Sequence, residues 1–220
     1  MNLATLRTLS LCAALPCAAL PAPARTPQTQ PSQTGEASAP RPPKNEALRQ
    51  ELLKMYEADQ AARAPMGTGK WVNEDQTKKL NETDAANTKR LNEIFRRYGF
   101  PSVSLVGKDG AFAAFVMVIH SPSLGLKKRS LPYIKRAFRR GEVPPEAFAS
   151  LTDTILAAEG KPQIYGTKFD LVGGKFVLAP TVDPAHLDER RKELGLPPIA
   201  DYAKGMSDMY KMPADASVSH

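Results

Sequence analysis

The sequence predicts a mainly α fold: a compact multi-helix single domain with one small late β-hairpin. Three observations carry that expectation. Apolar residues recur at three and four through most of residues 44–210, Asn, Pro and Gly stand where caps and stops belong, and the period changes to two only after Gly160. At 220 residues and 42% hydrophobic content the chain can build one ordinary core.

The first segment, "MNLATLRTLSLCAALPCAALPAPA", has an early cation at Arg7, an apolar run from Leu9 to about Ala22, and Ala22-Pro23-Ala24, the small-x-small form of a cleavage site. We read residues 1–24 as a signal peptide and expect an exported chain, periplasmic or secreted. The apolar run is shorter than the roughly 20 residues that cross a bilayer, and Pro16 interrupts it, so no transmembrane segment is expected. Cys12 and Cys17, the only cysteines, leave with the leader, which removes disulfide and thiol chemistry from the mature chain. Residues 25–43, rich in Pro, Gln, Ser and Thr, form a disordered linker.

The helical domain is expected over residues 44–210. Asn45 can cap a helix whose stripe is Leu48, Leu52, Met55, Tyr56 and Ala62, ending near Ala64-Pro65. Gly67-Thr68-Gly69-Lys70 approaches a phosphate-binding loop, but the required earlier Gly is missing and Trp71 replaces Ser/Thr, which excludes the nucleotide reading. A second helix runs from Asp84 with Leu91, Ile94, Phe95 and Tyr98 inward and Gly99 as its stop. Ala111 to His120 is apolar almost all round and reads as a buried helix. The next helix sets Leu124, Leu131, Ile134 and Phe138 against Lys128, Lys135, Arg136, Arg139 and Arg140, with Pro132 implying a kink or a fresh start. Pro144-Pro145 opens a helix with Phe148, Leu151, Ile155 and Leu156 inward.

After Gly160, "KFDLVGGKFVL" reads as a hairpin about Gly173-Gly174. It pairs Val172 with Lys175, Leu171 with Phe176 and Phe169 with Leu178, and places Phe169, Leu171, Phe176 and Leu178 inward. Asp183 is expected to cap a helix that stops at Gly195, a short helix follows from Ile199 to about Tyr210, and residues 211–220 are expected to be a flexible tail.

"MYEADQAAR" from Met55, "NTKRLNEIFRRYGFP" from Asn87, "EGKPQIYGT" from Glu159 and "DERRKELGLPP" from Asp188, in that order, resemble an uncharacterised bacterial family (domain of unknown function 6624) over roughly residues 48–202. The resemblance implies no activity and no site residues. It includes one departure: where the family carries Gln-His followed soon by acidic residues, this chain has Ile119-His120-Ser121-Pro122.

Two sets of residues could carry function. Gln163, Tyr165 and Thr167 share parity with Phe169 and Leu171, so their polar tips point inward; they either tie a loop to helix ends or, with Gln60, line a ligand pocket. We expect Gln163 and Tyr165 to meet Asp59 or His120. Asp59 continues the Leu48, Leu52, Met55 stripe to the core edge, where it pairs with Arg63 or acts. His120 is the best single general base, with helix capping as its bland role, while His186 is expected in solvent. A pair of opposed carboxylates, Asp59 with Asp84 or Asp153, would suit glycoside cleavage. No G-x-S-x-G surrounds Ser102, Ser104 or Ser121, no histidine has metal-ligand spacing, and no motif calls for a cofactor.

The excess of 30 Lys and Arg over 23 Asp and Glu favours anionic surfaces, and no nucleic-acid motif lies among the basic residues. Two functional readings follow: an exported non-catalytic binding domain using the polar pocket or the basic face toward an unidentified ligand or protein, and a small hydrolase-like enzyme using His120 with Asp59 or Asp153.

Overall fold

Helix α1 (Glu46–Arg63) starts where the Asn45 side chain accepts from the Leu48 N–H at 3.0 Å, and Leu48, Leu52, Asp59 and Ala62 form its buried stripe. It opens a computed structural model that describes residues 42–65 and 73–218. The leader with both cysteines, the spacer up to residue 41, the Gly67–Trp71 loop and His220 lie outside the described residues.

Helix α2 (Glu74–Tyr98) begins well before Asp84. Its first turns are polar and exposed, so no apolar stripe announces them. A reciprocal cap starts the helix instead: Gln76 N donates to the Asn73 side chain at 2.8 Å and Asn73 N donates to the Gln76 side chain at 2.9 Å. Helix α3 (Val103–His120) is interrupted at Gly107, whose φ of 74° breaks the helical ladder after the first turn. Beyond it, Ala113, Ala114, Met117 and Val118 are buried. Among the described residues α3 is the one helix long and apolar enough to cross a bilayer; here it is the central helix, packed by α1, α2, α4 (Leu124–Arg139) and α5 (Pro145–Ala158). Helix α4 continues through Pro132 as a single element, although this residue has no N–H for the Lys128 carbonyl.

Chain direction decides which polar residues meet. Asn45 N donates to Leu105 O at 2.9 Å, pinning the start of α1 to the start of α3, so these helices run parallel and their C-terminal ends coincide. Arg90 of α2 reaches back to Glu51 at 2.5 Å, while Asp84 lies against Arg63, so α2 runs antiparallel to α1. Leu52, Leu91, Ile94, Leu126, Ile134 and Leu151 fill the space between the five helices. Each such fully buried side chain contributes about 1.5 to 3 kcal/mol relative to exposure.

The second cluster is built on strands β1 (Phe169–Val172) and β2 (Lys175–Leu178), paired Phe169 to Leu178, Leu171 to Phe176 and Val172 to Lys175, the expected register. Phe169, Phe176 and Leu178 are buried. Leu171, expected inward, is 38% exposed: it sits next to the turn on the edge strand β1, while Tyr210 packs on its cross-strand partner Phe176. Residues 211–220 are not simply a tail: β3 (Ala214–Val218) pairs parallel with β2 and completes the sheet order β1-β2-β3. Asp183, expected as a cap, has φ 40° and makes no capping bond; its carboxylate instead accepts from exposed His186 Nδ1 at 2.8 Å. A 3-10 turn (Pro184–His186) then leads into α6 (Leu187–Leu194), and α7 (Ile199–Tyr210) packs over the sheet.

Candidate active site

Asp59 is the convergence point. It continues the buried face of α1 and is fully enclosed, and three side chains donate to it. His120 Nδ1 lies 2.9 Å from Oδ1 and 2.8 Å from Oδ2, Arg63 Nη1 donates to Oδ1 at 2.8 Å, and Gln60 Nε2 donates to Oδ2 at 2.9 Å. A carboxylate can only accept, so Nδ1 carries the proton and the neutral ring has Nε2 as its unprotonated nitrogen. Nε2 has no hydrogen-bond partner among the described residues, and the imidazole as a whole is 5% exposed.

The helix ends explain the convergence. His120 is the last residue of α3, where the chain turns at Ser121, and Asp59, Ala62 and Arg63 are one turn apart on the inner face of α1. On α2 the inner face reads Asp84, Asn87, Thr88 and Leu91 at i, i+3, i+4 and i+7. Asp84 accepts from Arg63 Nη2 at 2.6 and 2.9 Å, and Thr88 Oγ1 is 2.7 Å from the Oγ of buried Ser121. Arg63 therefore bridges two carboxylates from different helices. Burial lifts the Asp84 carboxyl above its ordinary range; Arg63 opposes that shift and Asp59 adds to it. Between Asp84 and Thr88, the Asn87 amide Nδ2 is buried with no partner, alone in this among the described residues.

Of the residues singled out from sequence, Asp59, Gln60, Arg63 and His120 come together, with Asp84 joined through Arg63, while Asp153, Gln163, Tyr165 and Thr167 lie elsewhere. Asp153 is fully buried and accepts from Ile164 N at 2.9 Å, Tyr165 N at 3.1 Å, Thr167 N at 3.0 Å and Thr167 Oγ1 at 2.9 Å. Its oxygens are spent on shaping the loop. Gln163 is buried as parity requires, but the expected contact with Asp59 or His120 does not form: Nε2 donates to Lys168 O and Ala179 O, both at 3.0 Å, and Oε1 accepts from Lys168 N at 2.8 Å. The Tyr165 ring lies 6.1 Å from Phe148, and its carbonyl accepts from the buried Arg191 guanidinium at 2.6 Å. At Gly166, with φ 70°, a Cβ would stand 3.0 Å from Ile199 Cδ1. The Gln163 to Thr167 stretch, together with Arg190 and Arg191 of α6, is a structural knot joining α5 to the sheet.

Asp59 and Asp84 do not face each other across an open cleft, because Arg63 lies between them. Asn87 is the site residue that sequence reasoning missed; its spacing from Asp84 and Leu91 was the available signal. A separate open groove of about 450 Å³ lies between the α2–α3 turn and the end of α4, lined by Tyr98, Phe100, Ser104, Tyr133, Arg136 and Arg140 among others. On the basic face beside it, Lys128 is held by Glu159 at 2.6 Å and Arg140 by Glu142 at 2.7 Å, while Lys135, Arg136 and Arg139 are exposed.

The family model described as "Family of unknown function (DUF6624)" matches residues 46–214, which spans α1 through the start of β3 and so includes every residue of the site. The chain belongs to this family. No curated protein and no solved structure gives a match. For this DUF6624 member, function has to be argued from the Asp59 centre itself.

Proposed function

We propose that the chain is a small hydrolase in which His120 is the general acid–base group and Asp59 its positioning residue. The observation that carries the reading is the bond from Nδ1 to both Asp59 oxygens, with Nε2 unpartnered among the described residues. In the proposed step, Nε2 takes a proton from a water whose oxygen adds to an electrophilic carbon, and Asp59 stabilises the imidazolium that forms. The proton then passes from Nε2 to the leaving group as its bond breaks, which returns the imidazole to its starting state. Arg63 fixes the Asp59 carboxylate and is itself fixed by Asp84. The leader read in residues 1–24 supports an exported setting, which belongs to this proposal. A panel of p-nitrophenyl esters is the test: wild type should turn over at least one of them. His120→Ala and Asp59→Asn, each checked for retained helicity, should lose about 100-fold or more. Turnover by His120→Ala at the wild-type rate would refute the proposal.

A second reading, a binding domain, has its own support in the groove beside the basic face. There Tyr133 is 44% exposed, Arg136 lies 6.0 Å from its ring centroid, and Lys135, Arg136 and Arg139 have no carboxylate partner among the described residues. The chemistry of such a surface suits an anionic partner.

A further inference from the structure

We propose that this centre takes an uncharged carbonyl compound, an ester or amide with a neutral acyl group, whose carbonyl oxygen accepts a hydrogen bond from the side-chain amide of Asn87. The proposal rests on the acid–base reading above and names the substrate class for it.

The first support is the amide itself. Asn87 is 8% exposed and its Nδ2 is enclosed without an acceptor. A buried donor left unpaired costs stability, and native structures carry few of them. The second support is position, which the neighbouring bonds fix. One turn before Asn87, Asp84 is bonded to Arg63, which is bonded to Asp59; the residue after it, Thr88, is bonded to Ser121, the neighbour of His120. Asn87 is therefore bracketed along α2 by the two connections that tie this helix to the acid–base pair. Nδ2 is enclosed as the amide stands, so in the proposed complex the terminal group makes a half-turn that exchanges Nδ2 with Oδ1 and presents the donor to the substrate.

The third support is charge. Asp59 and Asp84 stand against the single guanidinium of Arg63, whose two terminal nitrogens are both committed to them. With a neutral imidazole the cluster keeps one net negative charge. A phosphate or carboxylate would meet that charge and find no free cation among the described residues of the cluster. A neutral carbonyl meets no such penalty. Its oxygen gains negative charge only as water adds, which is when a fixed amide donor is most effective.

The test uses the full chain with Asn87→Leu, which keeps the side-chain size and removes the donor, and with Asn87→Ala as a second variant. On the neutral ester p-nitrophenyl butyrate, kcat should fall about 100-fold in both, with KM little changed. The thermal midpoint of Asn87→Leu should equal or exceed that of wild type. Wild type should leave p-nitrophenyl phosphate uncleaved and should not be inhibited by about 10 mM inorganic phosphate, roughly tenfold above the usual upper KM of about 1 mM. Wild-type kcat in both Asn87 variants beside an inactive His120→Ala overturns the Asn87 inference and leaves the acid–base reading standing. Equal rates in wild type and His120→Ala overturn the acid–base reading and this inference with it. Destabilisation of both Asn87 variants, or cleavage of the phosphate ester in preference to the carboxylic ester, also overturns the inference, because the amide then has a structural partner or the site accepts anions.

Discussion

Gln163 and Asp59 began as similar residues: polar side chains whose spacing sent them inward. Their surroundings separate them. Gln163 exchanges three hydrogen bonds with Lys168 and Ala179 backbone groups, which spends both of its N–H groups, and at 1% exposure the side chain is closed to a ligand. Replacing it by alanine takes away the acceptor of the Lys168 N–H and one of two donors to each of the Lys168 and Ala179 carbonyls, so Gln163→Ala should cost about 1 to 3 kcal/mol in urea denaturation. A change near zero would mean that the loop holds without it. Asp59 has a different set of partners, one of which, His120, has a second ring nitrogen with no hydrogen-bond partner among the described residues. The inward direction of both was legible because strand and helix periods fix which way a side chain points. The partners were not legible, since a buried carboxylate finds its donors on whichever helix the topology supplies. His120 is 61 residues from Asp59.

Among elements, the hairpin was read down to its residue pairs because period two and a Gly-Gly turn determine register together. The start of α2 was not, since an exposed polar helix has no stripe; the Asn73 to Gln76 capping box was its only mark. Strand β3 escaped for a different reason. A parallel pairing joins Ala214–Val218 to β2 across all of α6 and α7, and nothing local in "ADASV" specifies that partner. Helix α4 was read correctly as two-faced, and its basic side carries the prediction at this scale. With Lys128 and Arg140 already paired, Lys135, Arg136 and Arg139 are the cations available to an anionic matrix. Wild type should be retained at low salt and a Lys135→Glu/Arg139→Glu double variant should elute early. The difference should vanish at high salt, because screening acts over about 8 Å already at physiological ionic strength. Equal retention of both proteins would mean that the face is only solvated and would remove the second functional reading.

At the scale of the whole molecule, topology makes the site. Parallel α1 and α3 bring Asp59 and His120 to one end of the core, and antiparallel α2 delivers Asp84 and Asn87 to the same end. The smaller sheet-centred cluster is joined to this bundle through the loop that Asp153 shapes, so the residues of the "EGKPQIYGT" motif hold the fold, while those of "MYEADQAAR" supply the Asp59 cluster on which the proposed chemistry rests. The central claim is that three helices hold one imidazole in one tautomer with its outer nitrogen free. The direct measurement is a long-range ¹H–¹⁵N correlation spectrum of the histidine rings, with His120 assigned by its loss in His120→Ala. The account predicts, for the neutral ring, a proton fixed on Nδ1 and an unprotonated Nε2, and collapse of that preference in Asp59→Asn. A proton on Nε2, or a tautomer mixture unchanged by Asp59→Asn, would contradict it.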